Sequence, residues 1–428
     1  MKSIAVILFL SAVLAAQTIP TVVSTGKDQA GVALTVYNAG RALVSETRRI
    51  QFPSGAFHLN FVDVPSAIMP QTVAIKALKG GPLRILEQNY EYDLISPQKL
   101  LEKYLGREVT LVQSVQEQST TVFKRVKGTL LATNSGTVWR VGDTILTNPA
   151  YAWLEFPQVP ENLYANPTLV WLGEAKGGES VVEASYMTGG MSWTCDYVFT
   201  LGENEKSGDM TGWVTLVNSS GTAFRDAALK LIAGDVNVVQ PPQPEAVYER
   251  RMMAKAEAAP QFQEKSFFEY HMYTLQRKAT VANNQQKQIE LLHGEGVSPI
   301  KEYILEGQSW YYRQKFSGDT QKIRVALKIE NSEKNKLGIP LPKGIVRVYK
   351  KDTDGSSQFI GEDTIDHTPR DEPFHLTMGN AFDVAAERKQ TDFNILGDCT
   401  YEMEYKITMR NHKGEDITVK VETFFSTS

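Results

Sequence analysis

Ser96-Pro97-Gln98-Lys99 sets a serine and a lysine one helical turn apart, the spacing used by the nucleophilic serine of exported penicillin-binding enzymes. That chemistry also needs a Ser-Asp-Asn element and a Lys-Thr-Gly strand, and the chain has neither. Ser96 is better explained as a helix N-cap. Pro97 falls at the first helical position, where a missing N–H costs nothing, and Gly106 closes the other end. No Gly-x-Ser-x-Gly elbow is present to mark a serine hydrolase.

The six histidines are His58, His271, His293, His367, His375 and His412. None forms the i, i+4 pair of a helical zinc site, and there is no Cys-x-x-Cys. His58 lies between Phe57 and Leu59 on the outward face of a strand. His367 and His375 flank a Pro369–Pro373 turn and could approach each other across it, which would make a weak two-ligand site. Carboxylates are plentiful, so an acid and a base for glycoside chemistry could meet in the fold, but spacing does not reveal such a pair. Trp310-Tyr311-Tyr312 could stack on sugar or peptide, or fill a core. No catalytic, cofactor-binding or metal-ligating residue is assigned, and no cofactor is expected.

Only two cysteines occur, Cys195 and Cys399, so this is no disulfide scaffold. Trp193, Cys195, Tyr197, Phe199 and Leu201 share one strand face. Cys399, Tyr401, Met403, Tyr405, Ile407 and Met409 share another, so both thiols are expected to point into an apolar interior. Two readings stay open: two buried free thiols, or a Cys195–Cys399 disulfide joining strands that neighbour or face each other.

These residues have to be positioned by strands. Val32 to Val36, Phe57 to Phe61, Ile323 to Ile329 and Tyr401 to Met409 alternate apolar and polar residues, the period of half-buried strands. Asn38-Ala-Gly40, Asn218-Ser-Ser-Gly221, Asp354-Gly355 and Lys413-Gly414 punctuate them as turns. The pattern predicts an all-β, multidomain β-sandwich architecture with one short helix. An N-terminal β-domain spans 17–95. The Ser96 helix and the short strands after it, at 96–175, read as a module with a small SH3-like barrel. A C-terminal β-sandwich region covers 176–428. Within it, residues from about 240 to 265 open with Pro241-Pro242-Gln243-Pro244 and read as a flexible insertion, the alternative being a membrane-touching helix at Arg250-Arg251-Met252-Met253.

The N-terminus reads as a secretory signal peptide over 1–16. Lys2 supplies the positive start, Ile4 to Leu14 is apolar, and Ala15-Ala16 offers the small residues of a cleavage site. That apolar run is shorter than the roughly 20 residues of a membrane span, and no later stretch qualifies, so no transmembrane segment is expected after cleavage. The chain carries a formal charge of −4 without a basic stripe, which argues against nucleic acid as a partner.

Several blocks resemble, in order, a bacterial domain of unknown function found in mucoidy-inhibitor-like proteins. They are Tyr186-Met-Thr-Gly-Gly-Met-Ser-Trp-Thr-Cys-Asp-Tyr197, Leu229 to Asn237, Phe268 to Leu275, Asn283 to Lys287, Gly344-Ile-Val-Arg-Val-Tyr349, Gly361 to Pro369 and Ala386 to Asp392. Val36-Tyr-Asn-Ala-Gly40 to Asp63-Val-Pro65 is similar to the leading part of these proteins. The resemblance implies a link to envelope or exopolysaccharide physiology and carries over no functional residue. The long heptad-patterned coiled coil of the namesake layout is replaced by the Ser96 helix and the small module.

Together these readings describe an exported protein, periplasmic, at the cell surface or extracellular. It is expected to act through binding or assembly rather than catalysis, with an envelope glycan or a protein as partner. A glycan- or peptide-directed hydrolase and a filament or surface-layer subunit self-assembling through edge strands are the alternatives.

Overall fold

A computed structural model describes residues 19–91, 93–117, 120–160, 163–234, 262–267, 270–312, 314–397 and 400–422. The signal peptide at 1–16, most of the insertion at 240–265, and Cys399 lie outside these described residues. Among them, strands make up nearly all of the regular structure, and Pro97–Lys103 is the one α-helix. The chain is all-β and multidomain. No described helix is long and apolar enough to cross a membrane.

The chain divides into two compact units, residues 1–32 with 45–187, and residues 33–44 with 188–428. In the first, Thr168–Gly189 pairs antiparallel with Ala74–Lys79 and Leu83–Glu91, and Thr21–Ser24 runs parallel to His58–Phe61. Phe57, Leu59 and Phe61 alternate inward and are fully buried, as the period of two requires, and Phe61 meets Trp171 edge-on.

The same unit holds the small module. Ser96 Oγ accepts the Lys99 N–H at 3.1 Å, so this serine is an N-cap as expected. Glu108–Glu117, Thr120–Ala132, Val138–Val141 and Thr144–Thr147 form an antiparallel meander, and Trp153–Glu155 adds beside the first of them. Tyr104, Val109, Leu111, Leu130 and Trp139 make its core. The expected barrel does not close: Trp153–Glu155 and Thr144–Thr147 are the two edges of an open five-stranded sheet. Barrel closure depends on pairing between edges, and short alternating strands do not encode that locally.

In the second unit, Phe224–Ala233 pairs parallel with Ala33 to Tyr37 on one side and antiparallel with Tyr270–Leu275 on the other. A second sheet has the order Gln285–Val297, Gly208–Asn218, Met191–Leu201, Gly344–Lys351, Ser357–Ile365. Trp193, Cys195, Tyr197, Phe199 and Leu201 are all buried, as their alternation predicts. Three ties join this face to its surroundings. The Trp193 indole donates to the Ile232 carbonyl, Tyr197 Oη to the Pro342 carbonyl and Tyr273 Oη to the Pro340 carbonyl.

A third sheet runs Thr400–Asn411, Pro373–Gly397, Asp319–Glu330, Ile300–Leu305, Val419–Val421. Cys195 is a buried free thiol. The strand following position 399 is no hydrogen-bonded neighbour of the Cys195 strand, since the two belong to different sheets. It is an edge strand, and the apolar face expected to be interior leaves Tyr401 and Met409 exposed. Alternation separates two faces without saying what covers either.

Candidate functional site

The face of the small module away from its core carries an aromatic pair. Along Thr120–Ala132, Phe123, Arg125 and Lys127 share one side. Register brings the other residues alongside: Trp153 stands opposite Val112, which stands opposite Arg125, while Glu155 stands opposite Thr110 and then Lys127. The Phe123 and Trp153 rings meet at 4.8 Å between centroids and 49° between planes. Beneath them Val112 is fully buried, so part of each ring has a packing role, yet Phe123 remains 48% and Trp153 41% exposed.

Polar contacts fix Trp153. The Trp153 indole N–H donates to Glu155 Oε1 at 3.2 Å. Arg125 grips the same carboxylate through Nε and Nη2 at 3.0–3.2 Å, a forked contact that sets both groups in one plane. Hydrogen bonding from Arg125, then from Trp153, holds the Glu155 carboxyl below its ordinary range. Lys127 pairs with Glu108 at 2.8 Å. Ala152 N–H donates to the Val112 carbonyl and anchors the segment that presents half-exposed Tyr151.

Each of these two cations therefore sits on a carboxylate, while Arg140, opposite Thr129, stands farther along the same face. Phosphate or nucleic acid would find no free positive charge in Arg125 or Lys127. The apolar side of a sugar ring suits half-exposed, orientation-locked rings, and the carboxylate and guanidinium edges can take its hydroxyls.

Ser96 and Lys99 do not form a nucleophile and base, since Lys99 Nζ is paired with Asp93 and Glu102. His367 and His375 do not converge: His367 Nδ1 accepts the Lys343 N–H, and His375 Nε2 lies 3.9 Å from Glu302. No group of three or more His, Cys, Asp or Glu that could hold a metal is found among the described residues. In the Trp310-Tyr311 pair, Trp310 is exposed while Tyr311 is buried against Phe316 and lies under Arg388. Tyr311 is thus a core residue, and Trp310 is not. The carboxyls of Asp93, Glu155, Glu183, Glu205 and Asp354 are each held below their ordinary range by hydrogen bonds that outweigh burial.

The sequence reading does not single out Phe123 or Trp153. A signal for each is present, because Phe123 shares strand parity with Arg125 and Lys127, and Trp153 with Glu155. An aromatic on a charged face is an exposed aromatic. No protein-family model matches this chain, and a search of curated proteins finds no match.

Proposed function

We propose that this chain is an exported envelope or extracellular protein that acts by binding, and that the Phe123–Trp153 face holds an envelope glycan. The observation that carries this reading is the half-exposed Phe123–Trp153 pair, with Trp153 held by Glu155 and the adjoining Arg125 neutralised by the same carboxylate. Stacking area of this kind concentrates binding energy in a few residues. Binding is favoured over glycan hydrolysis at this face because its carboxylate beside the rings, Glu155, is held ionised by Arg125 and Trp153, whereas an acid catalyst needs a carboxyl held protonated. The blocks resembling mucoidy-inhibitor-like proteins and the leader-like N-terminus agree with an envelope setting.

Affinity electrophoresis of the purified chain through gels carrying isolated envelope polysaccharide tests the reading. The native chain should be retarded, and Trp153→Ala and Phe123→Ala should each weaken retention about tenfold or more, equivalent to about 1.4 kcal/mol. Retention by neither native chain nor variants, or equal retention by all, would sink it. Circular dichroism melting of the variants separates lost contact from lost fold. Export is tested separately by mass spectrometry, which should find a mature N-terminus near Ala16 or Gln17. An intact Met1 in an extracytoplasmic fraction would contradict it.

A further inference from the structure

Val384, Ala386, Arg388 and Gln390 alternate along Pro373–Gly397 and form its buried face. The first two join a hydrophobic cluster with Tyr303, Leu305 and Ile323. Arg388 is 1% exposed, yet among the described residues neither its Nε nor its Nη2 has a hydrogen-bond partner. It lies over the Tyr311 ring, with 5.1 Å from the guanidinium carbon to the centroid. A contact of that kind offsets only part of the cost of burying a charge. Arg48, equally buried, bonds a carboxylate and two carbonyls.

The neutral groups near Arg388 are engaged with one another. Gln390 Oε1 accepts the Phe316 N–H at 2.7 Å, and its Nε2 donates to Tyr405 Oη at 3.0 Å. Gln321 stands opposite Ala386 on the same face, and its Nε2 donates to Tyr311 Oη. The Gln321 Oε1 is buried without a hydrogen-bond partner among the described residues. Asp319 stands opposite Arg388 in the ladder, but it is exposed and bonds neither buried nitrogen. One face thus holds a fork of two donors and an acceptor, all three unanswered.

We propose that Arg388 and Gln321 form a binding site for a carboxylate-bearing sugar. Nε and Nη2 are one edge of the guanidinium plane, spaced to take both oxygens of a carboxylate. Arg125 grips Glu155 through the same two nitrogens. A single negative charge balances the single buried cation, whereas a phosphate brings an excess. Gln321 Oε1 needs a donor, which a hydroxyl of the same ligand supplies. Trp310 offers the sugar an open ring face, being 40% exposed and edge-on to Tyr311 and Phe316 at 4.5 and 5.3 Å. These three aromatics belong to the loop between Ile300–Leu305 and Asp319–Glu330, which holds one short 3-10 turn, Ser309–Tyr312. A loop of this kind opens at lower cost than a sheet, which gives the ligand its way in. The site lies in the second unit and does not depend on the Phe123–Trp153 face.

The test is the melting temperature of the full chain in sodium glucuronate, glucose, acetate or phosphate at matched ionic strength. Glucuronate should raise the native value progressively with concentration, as a ligand held only by the folded state does. Glucose lacks the carboxylate and acetate lacks the hydroxyls, so each should need about tenfold more for the same shift. Arg388→Met should abolish the glucuronate response. Without ligand it should melt at or above the native temperature, because it removes a buried charge that has no partner. Asp319→Asn should leave both melt and response unchanged. A native chain indifferent to glucuronate would overturn the proposal. So would equal shifts in the native chain and Arg388→Met, or acetate or phosphate matching glucuronate. A much lower melt for Arg388→Met or Asp319→Asn would also overturn it, since the guanidinium would then already hold a partner within the fold.

Discussion

The Arg48 guanidinium lies 3.4 Å from the centroid of the Phe61 ring, and its nitrogens bond Glu46 and the carbonyls of Ser24 and Val62, all at 2.8 Å. Arg48 is 1% and Glu46 6% exposed, so this is a buried pair that ties the N-terminal strand Thr21–Ser24 to the body of its unit. Breaking such a pair from one side leaves the other charge uncompensated. Arg48→Ala should therefore cost about 3–5 kcal/mol in urea unfolding. Arg48→Lys should recover only part, because an ammonium keeps the charge but not the fork or the stacking plane. Removing both charges with Arg48→Met and Glu46→Leu should come closer to the native midpoint than Arg48→Ala does. A double variant as unstable as Arg48→Ala would mean the two carbonyl bonds, not the ion pair, dominate.

Glu205 gives a prediction in acid. Burial pushes its carboxyl up, but hydrogen bonds and charge from Lys301 at 2.6 Å and Lys350 at 2.7 Å outweigh burial and bring it down to about 2. A carboxyl lowered from an unfolded value of about 4.3 contributes stability that is fully present above that pH. The contribution is lost as pH falls through about 2. Urea midpoints of the native chain measured downward from pH 5 should fall across this window, and Glu205→Gln should flatten part of that slope. Parallel slopes in the two proteins would show that the lysines hold the carboxylate no better than solvent does.

What the sequence revealed was the face of each strand; what it concealed was the company each face keeps. Trp193 to Leu201 alternates and is buried on one side, as read. Tyr401 to Met409 alternates as cleanly, but its strand is an edge and its apolar side stays half open. Ile323 to Ile329 alternates in sequence, yet Ala326, on the face opposite Ile323 and Ile329, is buried as well. The Asn218 turn was legible, but not that Asn218 is fully buried, donating to the Thr222 and Ala282 carbonyls while accepting from Ser220. Phe123 and Trp153 were each on a visible polar face, and only cross-strand register joins them into one surface.

Cys195 offers a chemical readout of the second unit. Burial pushes its thiol up to about 12, and the neighbouring Asp196 charge adds to the shift. Alkylation requires the thiolate and access to it. Iodoacetamide at about pH 8 should leave Cys195 unmodified in the native chain and label it promptly after denaturation, as located by peptide mass spectrometry. Rapid native labelling would show that the Met191–Leu201 strand opens far more often than its central place between two paired strands implies.

Gly344 should be the least replaceable glycine of the second sheet, for steric reasons rather than backbone conformation. It stands opposite Cys195 in the parallel pairing of Gly344–Lys351 with Met191–Leu201. A Cβ there would run into the Cys195 carbonyl oxygen and crowd the Tyr197 ring at 3.2 Å. Its obstacle is backbone, and the Met191–Leu201 strand is fixed on its other side by Gly208–Asn218, so it has little room to retreat. The bond from Tyr197 Oη to the Pro342 carbonyl at 2.7 Å, two residues before the glycine, would be strained by the same displacement. Gly344→Ala should therefore cost about 1–3 kcal/mol or more, the range for forcing extra volume into a packed interior. Gly414 provides the comparison, since a Cβ there would meet nothing within 4 Å and its backbone is not in the left-handed region. Gly414→Ala should stay within about 0.5 kcal/mol of the native chain. Chemical denaturation of both variants, with hydrogen exchange to locate any loosening, decides the matter. Equal stability of the two would mean that the strands can part at Cys195 without penalty, and the close backbone approach would not be what requires glycine at this position.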